Sequence, residues 1–235
     1  CPRNCRSNPN AYLIRMKCTP RYLLSALIVF LGLEGLAQAP VTYTSADIYL
    51  QIKKLNVLGS VLYIAAHPDD ENTHLLTWLS KDRLYRTGYL SLTRGDGGQN
   101  LIGDEQGIAL GLIRTQELLA ARRIDGAEQF FSRAFDFGFS KSSAEALKLW
   151  DKEKILADVV WVIRKFQPDI LITRFPEDAR AGHGQHAASA ILAREAFRAA
   201  ADPSRFPEQL QYGVKPWQAK RILWNTYRFG GVNTT

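Results

Sequence analysis

The chain of 235 residues has no cysteine beyond Cys18, a single methionine at Met16 and four histidines. Without cysteine after that point, the bulk of the chain has no disulfide framework, cysteine nucleophile or thiolate metal ligand, so any metal there must be held by His, Asp or Glu. An excess of charge is also missing once the formal +7 is divided. Residues 1–39 contain five Lys/Arg and one acidic residue, which leaves 25 bases and 22 acids, a net +3, for residues 40–235. That balance, with no basic stripe, disfavours a nucleic-acid partner. No apolar run reaches the roughly 20 residues a membrane-spanning helix needs. With 46% hydrophobic and 23% charged residues, the composition is that of a globular chain with one good core.

The first 39 residues read as a leader. Met16 is followed by Lys17 and Arg21, an apolar run from Leu23 to Leu33, and Ala37-Gln38-Ala39. This order of basic segment, apolar segment and small-residue cleavage site is that of a secretory signal peptide. Residues 1–15 are therefore expected to lie upstream of the native start, residues 16–39 to be the signal, and residues 40–235 to form one domain of an exported protein, periplasmic or extracellular, with no stable membrane span after cleavage. Phe229-Gly-Gly-Val-Asn-Thr-Thr235 follows a strand-like segment directly, so the domain is expected to be truncated at its C-terminus.

From Ser45 onward strand and helix patterns alternate. A helix is expected over Ser45–Leu55, and Ser60–Ala66 is apolar on both faces, the pattern of a buried parallel strand. Helical spacing follows over residues 69–80, a strand over Gly88–Thr93, a helix over Ile108–Ile124 and an aromatic strand over Gln129–Phe137. The series ends with a helix at Asp151–Phe166, a strand at Asp169–Thr173, a helix at Gln185–Ala200 and a strand at Arg221–Tyr227. Such alternation predicts an α/β sandwich with a mostly parallel sheet. Ligands bind such sheets beyond the carboxyl ends of the strands, so the loops beginning at His67, Arg94 and Phe175 should share one rim.

Two of these loops concentrate chemistry. His67-Pro68-Asp69-Asp70-Glu71 places one imidazole and three carboxylates where a buried strand ends. Pro68 restrains the backbone so that the following turn can bring His67 and Asp70 together. The second, Gly182-His183-Gly184-Gln185-His186, adds two imidazoles three positions apart. Together they can supply three nitrogen and oxygen ligands to zinc, iron(II) or another divalent ion and leave positions open, as a catalytic site requires. Against this, Asp69 or Asp70 could simply cap a helix, and a histidine could be a surface or packing residue. His74 reads as a helix-face residue.

These two motifs resemble the PIG-L/LmbE superfamily of zinc-dependent N-acetylglucosaminyl deacetylases, over about Val61 to Phe197. The resemblance implies a Rossmann-like three-layer domain without a dinucleotide and removal of acetate from an N-acetyl sugar. Carried onto this sequence, it makes His67, Asp70 and His186 the metal ligands, Asp69 the general base toward a metal-activated water, and His183 the stabiliser of the tetrahedral intermediate. The family's second motif commonly carries Pro-Asp between its histidines. Gly184-Gln185 stand there instead, which removes a carboxylate that could tune His183. Thr93-Arg94-Gly95-Asp96-Gly97-Gly98 and the pair Arg114/Glu117 resemble further family elements, with Arg94 and Arg114 as substrate contacts; a solvated turn and a buried salt bridge are the structural alternatives. Asp178 is expected to orient a histidine from behind.

Two other functions compete. A metal-dependent hydrolase of esters or phosphoesters would need extra cationic groups or a second metal, and Arg94 and Arg180 are the obvious candidates for the former. A non-catalytic carbohydrate-binding domain of a longer secreted protein would have no need of Asp69 beside a ligand. The substrate class expected is a small molecule or glycan bearing an N-acetyl sugar, selected by the loops Arg94–Gln106 and Ser132–Ala144.

Overall fold

A computed structural model describes residues 42–98 and 100–226 of the chain. Segments 1–15 and 16–39, expected as upstream sequence and signal peptide, and the last nine residues lie outside them. Contacts divide the chain into two units, Cys1–Thr44 and Ser45–Thr235; everything below concerns the second.

Its core is one five-stranded sheet formed by β1 (Ser60–Ala65), β2 (Arg86–Ser91), β3 (Glu128–Phe131), β4 (Ile170–Thr173) and β5 (Arg221–Trp224). The strand order is β3-β2-β1-β4-β5, and every neighbouring pair is parallel. Every residue of β1 is buried, as its double-sided apolar sequence requires. Successive side chains of a strand point to opposite faces. Leu62 and Ile64 accordingly join one core layer, and Val61, Tyr63 and Ala65 join the other. The result is the expected three-layer α/β sandwich, with the sheet fully rather than mostly parallel.

The helices are α1 (Ser45–Lys54), α2 (Thr73–Thr77, continued by a π-turn over Trp78–Asp82), α3 (Ile108–Asp125), α4 (Ser143–Trp150), α5 (Lys152–Phe166) and α6 (Gly184–Ala199). The layer containing Leu62 and Ile64 is completed by α4, α5 and α6 through Trp150, Val159, Ile163, Leu192 and Ala196. The opposite layer uses Leu76 and Leu79 near α2 and Leu118 of α3. The C-terminal end of α6 is held by Arg164, which is 1% exposed. Its guanidinium donates to the carbonyls of Ala199, Ala200, Asp202, Arg205 and Phe206 and to Gln209 Oε1. Among the described residues no helix is long and apolar enough to cross a membrane.

Three sequence expectations change. Helix α2 starts at Thr73 rather than near residue 69, because Asn72 caps it by accepting from the Leu75 N–H and Asp69 takes a left-handed φ of 102° that a helix cannot contain. The aromatic strand ends at Phe131 instead of running to Phe137; Phe137 turns to pack edge-on against Trp150. Helix α4 begins inside the expected loop Ser132–Ala144 and continues over residues for which no element was expected. Its start follows a capping-box pattern: Ser142 Oγ accepts from the Glu145 N–H, and the Glu145 carboxylate accepts from the Lys141 N–H at 2.8 Å.

Candidate metal centre

Strands β1, β2 and β3 proceed outward in one direction, and the chain then returns to place β4 on the other side of β1. The carboxyl ends of β1 and β4 therefore border the point where the strand order reverses, the expected ligand crevice of such a sheet. His67 lies two residues beyond β1, and the loop after β4 leads into α6 with His183 as its N-cap.

His67, Asp70 and His186 converge there, with one potential ligand atom from each lying within 4.8 Å of the others. His67 Nδ1 is 3.2 Å from Asp70 Oδ2, and His186 Nε2 is 3.5 Å from Asp70 Oδ1. The loop that carries the first two is closed on itself, since Asp70 Oδ2 accepts from the His67 N–H at 2.7 Å and Tyr89 donates its hydroxyl to the His67 carbonyl. His186 Nδ1 sits 3.1 Å from the Ala181 carbonyl, which as an acceptor fixes the proton on Nδ1 and leaves the Nε2 lone pair facing Asp70. The His186 ring is stacked on Phe175 at 3.8 Å. Burial alone would raise Asp70, but His67 and His186 beside it hold its carboxyl below the usual range. Burial lowers His186, whereas in His67 the hydrogen bond and charge of Asp70 outweigh burial and raise it. Two imidazoles and a carboxylate so arranged are a donor set that suits zinc or a neighbouring divalent ion.

The remaining expected residues divide. Asp69 lines the same cavity, a cleft of about 660 Å³ that also includes Gly98, Leu101, Arg114, Asp136, Phe139 and His183. Burial and the charge of Asp70 raise the Asp69 carboxyl, partly offset by Arg114. Arg114 is in the cavity but committed to protein: its Nη2 donates to the Pro68 carbonyl at 2.8 Å and to Asp69 Oδ2 at 3.0 Å. The salt-bridge alternative describes it better than a substrate contact. His183 Nδ1 accepts from the Gln185 N–H at 3.1 Å as the cap of α6, and the Ser140 N–H stands 3.4 Å from Nε2. Both ring nitrogens thus face donors, and burial with the neighbouring His186 and His67 lowers the ring's pKa, so a doubly protonated His183 is disfavoured.

Arg94 and Asp178 are not brought to the centre. Arg94 donates to Thr115 Oγ1 and lies over the Phe131 ring, in a different cleft. Asp178 caps the short helical turn Ala179–Ala181 and pairs with Arg180 at 2.7 Å; the Ala181 carbonyl, not Asp178, orients His186. Arg94 and Arg180, the cationic side chains a phosphoester reading offered, are thus both engaged outside the cavity. His74 is exposed on α2, as expected, beside another cleft of about 690 Å³ lined also by Trp78 and Lys81. That cleft contains none of the converging ligands.

Arg122 and Asp136, which the sequence did not single out, complete the centre with Glu71 and Gln185, which it placed in the two clusters without a role. Glu71 accepts from the Asp69 N–H through Oε2 and from Arg122 through Oε1. Arg122 pairs with Asp125 at 2.6 Å, and the three charged side chains are each no more than 5% exposed. Gly184 replaces the family's proline for a steric reason: a Cβ there would fall on Ser140 Oγ and the Ser142 carbonyl.

Comparison with known proteins gives a consistent answer. The PIG-L family model, GlcNAc-PI de-N-acetylase, matches residues 62–197. A 1D-myo-inositol 2-acetamido-2-deoxy-alpha-D-glucopyranoside deacetylase of Rhodococcus opacus is 31% identical over 184 residues, covering 70% of this chain and 60% of the relative. This chain spans about 60% of the length of the curated relatives it matches. Among solved structures, the N,N'-diacetylchitobiose deacetylase of Pyrococcus horikoshii aligns with a TM-score of 0.55 at 19% identity, over 79% of this chain and 70% of that one. A 4-carboxy-2-hydroxymuconate hydratase of Pseudomonas putida aligns at 0.54 and 21% identity, over 70% and 64%. At these identities the structural likeness speaks to fold, and the fold carries more than one chemistry.

Proposed function

The chain belongs to the PIG-L family, and from that premise we propose that it is a divalent-metal-dependent amidohydrolase that removes the acetyl group from an N-acetylglucosamine-type substrate. The observation that carries the reading is the convergence of His67, Asp70 and His186 with Asp69 in one cavity at the switch point of the sheet. Those three residues would hold the ion, zinc being the best fit to two imidazoles and a carboxylate. When bound, such an ion polarises a carbonyl and acidifies water.

The chain's own groups supply the rest. Asp69 accepts the proton of the attacking water as that water adds to the amide carbonyl. Arg114 fixes the carboxylate that does so, through Oδ2 and through the Pro68 carbonyl one residue earlier. His183, with Nδ1 occupied as a helix cap, carries its proton on Nε2, and hydrogen-bonding the developing oxyanion there replaces the 3.4 Å approach of the Ser140 N–H. The C–N bond then breaks, and the proton returns from Asp69 to the leaving amine, giving acetate and a free amino sugar. The basic, apolar and small-residue order of residues 16–39 is the sequence pattern that supports a reading of an exported site of action.

Acetate release from N-acetylglucosamine conjugates by the zinc-supplemented protein, with Asp69→Asn alongside, tests the reading. The variant is expected to lose roughly 100- to 10,000-fold in kcat while keeping its metal. Equal turnover by Asp69→Asn removes the proposed base, and absence of deacetylation of any N-acetyl sugar by the metal-loaded wild type counts against the substrate class.

A further inference from the structure

Gln185, the second residue of α6, is fully buried at 0% exposure although its side chain is polar. Its amide group spans the space between the metal loop and the loop that follows β3. Nε2 donates to the Gly138 carbonyl at 2.8 Å and to Asp136 Oδ1 at 3.4 Å, both acceptors. The opposite end, Oε1, lies 2.8 Å from His67 Nε2. Since an amide oxygen only accepts, Nε2 of His67 carries a proton whatever the charge of the ring, so in the neutral ring the lone pair is on Nδ1, the atom that faces Asp70. The anchor is itself fixed: Asp136 Oδ1 also accepts from the Gly138 N–H at 2.8 Å, and the Asp136 N–H donates to Asp96 Oδ1 at 3.0 Å.

We propose that Gln185 is a positioning residue of the metal centre, selecting the tautomer and ring orientation in which His67 offers Nδ1 to the ion. The assignment rests on the metal-hydrolase reading above. It also accounts for an amide at a position where the family commonly has a carboxylate. One side of the residue meets a donor, His67 Nε2–H, and the other meets a carbonyl and a carboxylate. Only a group with an acceptor at one end and a donor at the other satisfies both. A carboxylate would put its second oxygen against Gly138 O and Asp136, and a buried acceptor facing acceptors is costly. Partners of this kind behind a ligating histidine affect metal affinity by about 10- to 100-fold.

The test is zinc affinity of the full chain, measured by chelator competition, for wild type, Gln185→Met and Gln185→Glu. Thermal melts of the zinc-free proteins establish folding, and ¹⁵N–¹H correlations of the histidine rings report the His67 tautomer. Methionine keeps the volume and removes all three hydrogen bonds; glutamate keeps the shape and reverses the donor end. The proposal expects His67 protonated on Nε2 in wild type and zinc binding weakened about 10- to 100-fold in both folded variants. Should the methionine variant fail to fold, the glutamate variant decides by the same measure. Wild-type binding with folded variants within about twofold of it would overturn the assignment alone, since a residue positioning a ligand cannot be that neutral. A wild-type chain that takes up no zinc would overturn the metal-hydrolase reading and this assignment together.

Discussion

Arg114 on α3 reaches Asp69 across 45 residues of sequence, with its Nη2 3.0 Å from Oδ2 of the carboxylate and 2.8 Å from the carbonyl of Pro68. Asp69 holds a left-handed φ of 102°, a conformation that costs a non-glycine residue on the order of 1–3 kcal/mol and persists only where the surroundings impose it. Arg114 from one side and Glu71, accepting from the Asp69 N–H, from the other impose it here.

Replacing Arg114 by Met is therefore expected to lower kcat of the metal-loaded protein by about 10- to 100-fold, because a misaimed base loses part of the gain from orientation. Zinc content should be unchanged. Arg94→Ala, which removes a side chain that lies outside the cavity on Thr115 and Phe131, should leave kcat and KM at wild-type values. Steady-state kinetics on the two variants would separate the roles; a loss at Arg94 equal to that at Arg114 would contradict this placement.

The buried set Glu71, Arg122 and Asp125 leads to a prediction about stability. Arg122→Met leaves two carboxylates, each no more than 5% exposed, without their shared cation. Breaking such a set by removing one partner costs about 3–5 kcal/mol. Denaturant unfolding should show a loss of that order, with Arg122→Lys recovering part of it. A loss under about 1 kcal/mol, the size typical of exposed ion pairs, would mean that the set contributes little.

Asp169 sets an acid limb of stability. Its carboxylate, at the entry to β4, accepts from the N–H and hydroxyl of Ser60 on β1 and pairs with Lys220 at 2.8 Å. The Lys220 hydrogen bond, with those from Ser60 added, holds its pKa below the ordinary value against the opposing effect of burial. A carboxyl depressed in the folded state adds stability that is complete above its unfolded pKa of about 3.9 and fades as pH falls through the lower folded value. The difference in unfolding free energy between wild type and Asp169→Asn should thus be constant from neutral pH down to roughly pH 5 and shrink below about pH 4. A difference that grows on acidification would reverse the sign of the argument.

Much of this was readable in the sequence, and the exceptions have physical causes. The doubly apolar Ser60–Ala65 strand and the two clusters at its rim follow from burial and from charge density, and both are one-dimensional signals. Helix α4 was equally readable: Ser142 and Glu145 are a capping pair, obscured by the aromatic residues before them. Those residues, Phe135 and Phe137, suggested a longer β3 because aromatic residues favour strands, but their packing is tertiary, against each other and Trp150. Arg94 and Arg114 looked equivalent as exposed-loop or helix cations, and only three-dimensional neighbours distinguish them. Asp136 carried no signal and Gln185 only that it stands where the family commonly has a carboxylate, because an amide and a single acid gain a role only when the chain sets them behind His67.

The central claim is that His67, Asp70 and His186 form a metal centre. Elemental analysis of zinc-supplemented, desalted protein, wild type beside His186→Ala, tests it most directly. The account predicts about one zinc per wild-type chain and a loss of it in the variant, whose circular dichroism should stay that of a folded α/β protein. A folded wild-type protein that remains metal-free, or a His186→Ala variant that retains its zinc, would contradict it.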